Sequence, residues 1–135
     1  MGVEKTFCML KPDTVRNHHI GDVIAMIEKA GFEIKQMKMF SFTTQGVEEF
    51  YAVHKGKEFY ERLIKFMSVG AVVALQLERE NAVSALRELI GATDPKKAAP
   101  GTIRYLYGTG SPDNAVHASD SVENAAVEAA MIFTR

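Results

Sequence analysis

Asn114-Ala115-Val116-His117-Ala118-Ser119-Asp120-Ser121-Val122-Glu123-Asn124-Ala125-Ala126-Val127-Glu128 reads as a short strand, near Ala115 to Ala118, running directly into a terminal helix. Asp120 followed by Glu123 fits the N-cap and N3 positions of a capping box, and Val122, Ala125, Ala126, Ala129 and Phe133 recur with helical spacing. His117 therefore sits just before a helix N-terminus. Unpaired backbone N–H groups and the positive end of the helix dipole favour a phosphate or another anion there, beside the imidazole. Taken alone, such a histidine is more often a structural hydrogen-bonder or a solvated side chain than a catalyst.

Outward from this stretch the apolar pattern alternates strands with helices. Val3 to Leu10 reads as a strand ended by Lys11-Pro12-Asp13, where proline removes a ladder donor. Ile20, Val23, Ile24 and Ile27 form an amphipathic helix over about 20–30, with Gly31 as its C-terminal stop. Phe32 to Phe42 is a second strand whose alternation slips near Gln36. Thr44 is placed to cap a short helix through about Tyr51. Lys55-Gly56-Lys57 separates it from a helix over Glu58 to Met67, whose apolar arc is wider than a core stripe needs. Ala71 to Leu77 is a central two-faced strand, and Asn81 opens a helix that Gly91 ends. From Ala92 to Pro112 the chain is rich in Gly, Pro and Thr and too long for a plain connector, with a short ordered piece at Ile103 to Tyr107. The order of elements predicts an α+β sandwich, a sheet with helices on its faces.

The 135 residues, 47% apolar and 24% charged, suit one soluble domain over 1–135. A formal net charge of -1 offers no global field for nucleic acid, so no nucleic-acid partner is expected. The single cysteine, Cys8, lies in an apolar run and reads as an inert buried thiol. No secretion signal or membrane span is visible, which predicts a cytoplasmic protein without a membrane partner. The start fits the short N-myristoylation pattern, but the first strand is expected to begin there and leave little free tether. Glycine-rich phosphate cradles are missing, so side chains must hold any phosphate. Lys11 at a strand exit, Arg87 at the border of a helical stripe, Thr93 and Arg104 are the candidates; any one of these cations is by default an exposed surface charge.

Asn114-Ala115-Val116-His117-Ala118-Ser119-Asp120-Ser121 resembles the active-site signature of nucleoside diphosphate kinases, in which a histidine carries a phosphoryl group between nucleotides. The likeness continues in the family's order through Lys11-Pro12-Asp13, Tyr51, His54, Phe59, Gly91-Ala92-Thr93-Asp94-Pro95 and Pro100-Gly101-Thr102-Ile103-Arg104. It implies a ferredoxin-like α/β sandwich with an antiparallel four-stranded sheet. It also implies ping-pong transfer of the terminal phosphoryl of a nucleoside triphosphate to a nucleoside diphosphate through a phosphohistidine at His117. Ser119 and Glu128 would orient the ring. Arg87, Thr93, Arg104 and Lys11 fall where the family contacts phosphates, with Tyr51 and His54 nearby. Phe59 would stack on the base with Leu63 as an apolar contact, and Asn114 with Lys11 would reach the ribose. The resemblance further implies Mg2+ held mainly by the nucleotide's phosphates, with Asp120 as a ligand through water, and a homo-oligomer, tetramer or hexamer, built from dimers.

Imidazole suits phosphoryl carriage because its ordinary pKa of about 6.5 leaves a free lone pair near neutrality. Glu128 lies roughly 12 Å along the helix from Asp120, so the segment bearing His117 must fold back beside that helix for the two to meet. Three positions depart from the family pattern: Ala118 for a frequent glycine, Ala71 where proline is usual, and Ser111 where an apolar residue often meets the base. The sequence stops at Arg135, without the longer tail that helps some relatives assemble. A nucleotide sensor that kept the cleft without turnover, and a nucleic-acid module, are the competing readings.

Overall fold

Alternation along the first strand decides what each face of the sheet packs against. The structure, a computed structural model, describes residues 2–134. Arg135, on which the expectation about a short tail rests, lies outside the described residues, as does Met1. In chain order the elements are β1 (Val3–Leu10), α1 (Pro12–Arg16), α2 (Ile20–Lys29), β2 (Glu33–Ser41), α3 (Thr44–Phe50), α4 (Tyr60–Met67), β3 (Ala71–Glu80), α5 (Ala82–Ile90), α6 (Ile103–Tyr107), β4 (Val116–Ala118) and α7 (Val122–Phe133). Phe7 and Met9 point into one core with Val72 and Ala74 of β3, Phe50, Leu63 and Met67 of α3 and α4, and Ala125 and Ala129 of α7. Cys8 and Leu10 point the other way, into a core with Val73, Leu75 and Leu77, Val23 and Ile27 of α2, and Leu86 and Ile90 of α5. Two apolar layers thus sandwich one sheet, as a period of two along β1 and β3 requires.

The strand order is β2-β3-β1-β4, with β1 antiparallel to β3 and β4, and β2 antiparallel to β3. This is the expected antiparallel four-stranded sheet with helices on its faces. The slip near Gln36 is a register shift between Ile34 and Gln36 in the β2–β3 ladder. Pairing of β4 with β1 sets Met9 opposite His117, so His117 shares the face of Phe7 and Met9 while Val116 joins the other core.

Several boundaries differ from the expectation. Lys11-Pro12-Asp13 does more than stop a strand: Pro12 opens α1, where its fixed φ suits a first helical turn. Ser121, not Asp120, caps α7, its hydroxyl accepting from Asn124 N–H at 3.0 Å, while Asp120 Oδ1 accepts from the Asn124 side chain. Thr43 rather than Thr44 caps α3, and α4 starts at Tyr60 with Phe59 at its N-cap. Asn81 holds the N-cap position of α5 in a left-handed conformation without a side-chain cap bond; Glu4 instead accepts from Val83 N–H at 3.3 Å. The buried stripe of α7 is Ala125, Ala129 and Ile132, leaving Val122 exposed.

Candidate active site

His117 comes off β4 with its imidazole ringed by Phe7, Phe50 and Tyr51 at centroid distances of 6.2, 5.2 and 5.6 Å. Its Nε2 lies 2.8 Å from Glu128 Oε1, and Ser119 Oγ donates to the same oxygen at 2.5 Å. The strand therefore does fold back beside α7. A carboxylate oxygen accepts, so the neutral ring carries its proton on Nε2, and Nδ1 keeps a lone pair without a hydrogen-bond partner among the described residues. The Tyr51 hydroxyl is buried and has no hydrogen-bond partner among the described residues; burial, then the nearby Glu128, pushes its pKa up, so it stays a donor.

His117 lines a cleft together with Lys11, Tyr51, His54, Lys57, Phe59, Leu63, Arg87, Thr93, Arg104, Ser111, Asn114, Asp120 and Glu128, among others. It encloses about 440 Å³, a size suited to a small molecule. Every candidate residue singled out in the sequence lines it except Ser119, which is buried behind His117.

Lys11 and Arg104 are not the exposed charges expected by default. Lys11 is 6% exposed, its ammonium donating to Pro112 O at 3.1 Å and Asn114 Oδ1 at 2.8 Å. Arg104 is 9% exposed and donates to Gly91 O, Asn114 O and Val116 O at 3.1, 3.3 and 2.8 Å. Burial, then Arg104, brings the Lys11 pKa down to about 8; burial, then Arg87, brings Arg104 down to about 10. No carboxylate forms an ion pair with Lys11, Arg87 or Arg104 among the described residues. Desolvated cations that press on one another mark a site built for an anion. Arg87 remains exposed at the cleft edge, its Nη1 3.4 Å from Ala118 O, and Asn114 Nδ2 donates to Thr93 O at 2.9 Å.

At the far end Phe59 is 41% exposed while Leu63 is buried beneath it. Lys57 Nζ lies 3.2 Å from His54 Nδ1 and 5.8 Å from the Phe59 ring centre. Burial first, then Lys57, lowers the His54 pKa and favours its neutral form. Lys57, Val53 and Asn124 line the cleft without having been singled out; Lys57 stood in a Lys-Gly-Lys run that read only as a break between helices. Ala118 has no positive φ, so the departure from glycine there is conformationally neutral; Ala115 is the residue with φ 75°. Cys8 is fully buried, and burial pushes its thiol up to about 12.

Among the described residues no group of three or more His, Cys, Asp or Glu side chains is placed to hold a metal ion, and no helix is long and apolar enough to cross a membrane.

The family model for nucleoside diphosphate kinase matches residues 4–135. The chain is 53% identical to a nucleoside diphosphate kinase of Chloroherpeton thalassium over 98% of this chain and 94% of that one. It is 50% identical to one of Methanococcus maripaludis over 98% and 100%. The solved structure of the Aquifex aeolicus nucleoside diphosphate kinase superposes with a TM-score of 0.95 at 44% identity, covering 98% of this chain and 96% of that one. A halophilic nucleoside diphosphate kinase from Halobacterium salinarum, solved in complex with CDP, superposes with a TM-score of 0.94 at 36% identity over 99% and 90%. The chain belongs to the nucleoside diphosphate kinase family and is an enzyme that moves the terminal phosphoryl group of a nucleoside triphosphate to a nucleoside diphosphate through a phosphohistidine.

Proposed function

We propose that His117 is the phosphoryl carrier and that Nδ1 is the atom that carries it. The observation behind this is the ring's geometry: Nε2 is committed to Glu128, and His117 lines the cleft with its other nitrogen unpartnered among the described residues. The Nδ1 lone pair forms a bond to the terminal phosphorus as the bond from phosphorus to the bridging oxygen breaks. The electron pair leaves with the nucleoside diphosphate. No base is required, because Nδ1 carries no proton. The ring becomes cationic in this step, and the Glu128 carboxylate, fixed by Ser119, offsets that charge through the retained Nε2–H. A second nucleoside diphosphate reverses the sequence.

Lys11, Arg87 and Arg104 offset charge on the transferring oxygens, with the Thr93 and Tyr51 hydroxyls and neutral His54 as further donors; phosphoryl transfer draws chiefly on such positioning and electrostatics. Asn114 and Lys11 hold the ribose, and the base lies on Phe59 against Leu63. The CDP bound by the Halobacterium salinarum relative supports a nucleoside diphosphate in this cleft. Asp120 and Glu128 are the carboxylates of the lining, and Glu128 is engaged by His117 and Ser119. One available carboxylate suits Mg2+ that comes in on the nucleotide's phosphates, with Asp120 as an outer ligand through water. The ion supplies charge neutralisation to the phosphates.

We further infer one domain over 1–135, cytoplasmic like its free nucleotide substrates, assembled as a tetramer or hexamer of dimers. Exposed Met37 and Met39 on the edge strand β2 support self-association. Incubation with a magnesium nucleoside triphosphate alone tests the carrier. The expected adduct is acid-labile, alkali-stable, mapped to His117 and lost in His117→Ala, with His18, His19 and His54 unmodified. An intact adduct in His117→Ala overturns the assignment.

A further inference from the structure

Ala115 is fully buried with φ 75°, and across it Val116 N–H donates to Asn114 O at 2.9 Å. An i to i+2 hydrogen bond at this φ is the rare, strained form of γ-turn, which the alanine Cβ disfavours. The segment after β1 restrains it from three directions. Lys11 N–H and Thr14 Oγ1 donate to Ala115 O at 2.9 and 2.8 Å, and Asp13 Oδ2 accepts from Ala115 N–H at 3.0 Å. Asp13 is 2% exposed, and its other oxygen has no partner among the described residues. Burying a carboxylate is costly, and burial holds its pKa above the usual range even though the backbone N–H groups of Ala115, Asp13 and Thr14 and the charge of Lys11 pull it down.

What the turn carries accounts for that cost. Asn114 O and Val116 O, the carbonyls on either side of Ala115, accept from Arg104 Nε and Nη2. The Asn114 side chain accepts from Lys11, and His117 follows two residues on. One backbone turn therefore sets the direction of two cations and an amide in the cleft.

We propose that Asp13 is a positioning residue for phosphoryl transfer: by holding the Ala115 amide it maintains the γ-turn that aims Arg104 and Asn114 at the nucleotide. It touches no substrate itself. The inference rests on the assignment of Arg104 and Asn114 to nucleotide binding made above.

Misplacing such groups by a fraction of an ångström is costly, so Asp13→Ala lowers kcat/KM by at least about tenfold. Asp13→Asn keeps an acceptor for the Ala115 amide and loses less. Glycine accepts a positive φ without a Cβ penalty, so the turn on an Ala115→Gly background needs less restraint. There the loss caused by Asp13→Ala shrinks to about threefold or less, a coupling that independent sites do not show. A carboxylate that only stabilised the fold would lower the melting temperature on both backgrounds and leave kcat/KM of the folded enzyme alone. If Asp13→Ala does not fold, Thr14→Val, which removes a donor to the same carbonyl, is compared on the two backgrounds. Equal losses on both backgrounds, or no loss in the alanine background, overturn the proposal. Arg104→Ala separates the two layers of argument: its full activity would remove the site assignment, whereas its collapse together with uncoupled Asp13 losses would remove only the role of Asp13.

Discussion

Lys11 is the side chain whose burial makes the sharpest numerical demand. Its pKa falls from 10.5 to about 8, burial being the main cause, Arg104 adding to it, and Asp13 and Asp113 working in the opposite direction. The unfolded chain has no such burial, so there the lysine keeps its proton to about pH 10.4. Between these limits the unfolded state binds more protons than the folded state, and stability must rise with pH, by up to ~1.4 kcal/mol per pH unit. Put as a sign, charged Lys11 costs stability below about pH 8, and the cost is relieved as pH rises toward 10.5. Arg104, lowered to about 10, adds a gain of the same sign at higher pH. Cys8, held up to about 12 by burial, works in the opposite sense, because the unfolded thiol loses its proton first. Across the window from pH 8 to about 9.5 Lys11 itself contributes about 1.5 kcal/mol, which a variant lacking only Lys11 isolates.

Lys11→Met removes this titration. Urea unfolding of both proteins across that window, at one protein concentration because the chain is read as an oligomer, should show the wild-type value gaining about 1.5 kcal/mol on the variant. Nucleotide binding must move in the opposite sense, since a neutral amine offers no charge to a phosphate. Nucleoside diphosphate affinity in the wild type then falls by up to about tenfold per pH unit above pH 8, whereas Lys11→Met binds weakly and without that dependence. A stability difference flat in pH, or a wild-type affinity that holds to pH 10, would refute the burial argument.

Glu128→Gln keeps an acceptor for Nε2–H but removes the charge that offsets the phosphorylated ring, so phosphoenzyme formation measured by rapid quench should slow by at least about tenfold with the melting temperature little changed. Phe59→Ala should weaken purine and pyrimidine nucleotides alike by roughly 1 to 3 kcal/mol in calorimetric titrations, because a stacking platform reads π-faces rather than base edges. Ser111→Val should tighten all nucleotides by a similar small factor; a gain confined to one base would show that the Ser111 hydroxyl reads an edge.

Much of the sheet was legible because burial on two faces leaves a period that composition cannot hide. Phe7 and Met9 against Cys8 and Leu10, and the slip at Gln36, are patterns in the one-dimensional chain. The helix entrance at β4 was legible as an entrance, yet Ser119, Asp120 and Ser121 are all competent caps. Only the backbone direction out of β4 selects Ser121. Proline has a similar ambiguity, since the property that ends β1 at Pro12 also suits the first turn of α1. The burial of Lys11 and Arg104 had no local signal at all. A cation can be buried only where other segments bring carbonyls to it, and those of Arg104 come from Gly91, Asn114 and Val116. Asp13 was hidden for the same reason, its partner lying 102 residues away.

These long-range acceptors also explain how the cleft can hold Lys11 and Arg104 with no ion pair to either among the described residues. Carbonyls and the Asn114 amide oxygen orient Lys11 and Arg104 but carry no full charge, so Arg104 still depresses the pKa of Lys11, and Arg87 that of Arg104. A carboxylate partner would have relieved that repulsion and would also have competed with the polyphosphate for the same N–H donors. Carbonyl anchoring leaves the electrostatic deficit for the substrate to fill. The free enzyme is therefore less stable than its nucleotide complex, by an amount that grows as RT ln(1 + [L]/Kd) with the ligand present. The same deficit favours the doubly charged transferring phosphoryl over neutral competitors of similar shape.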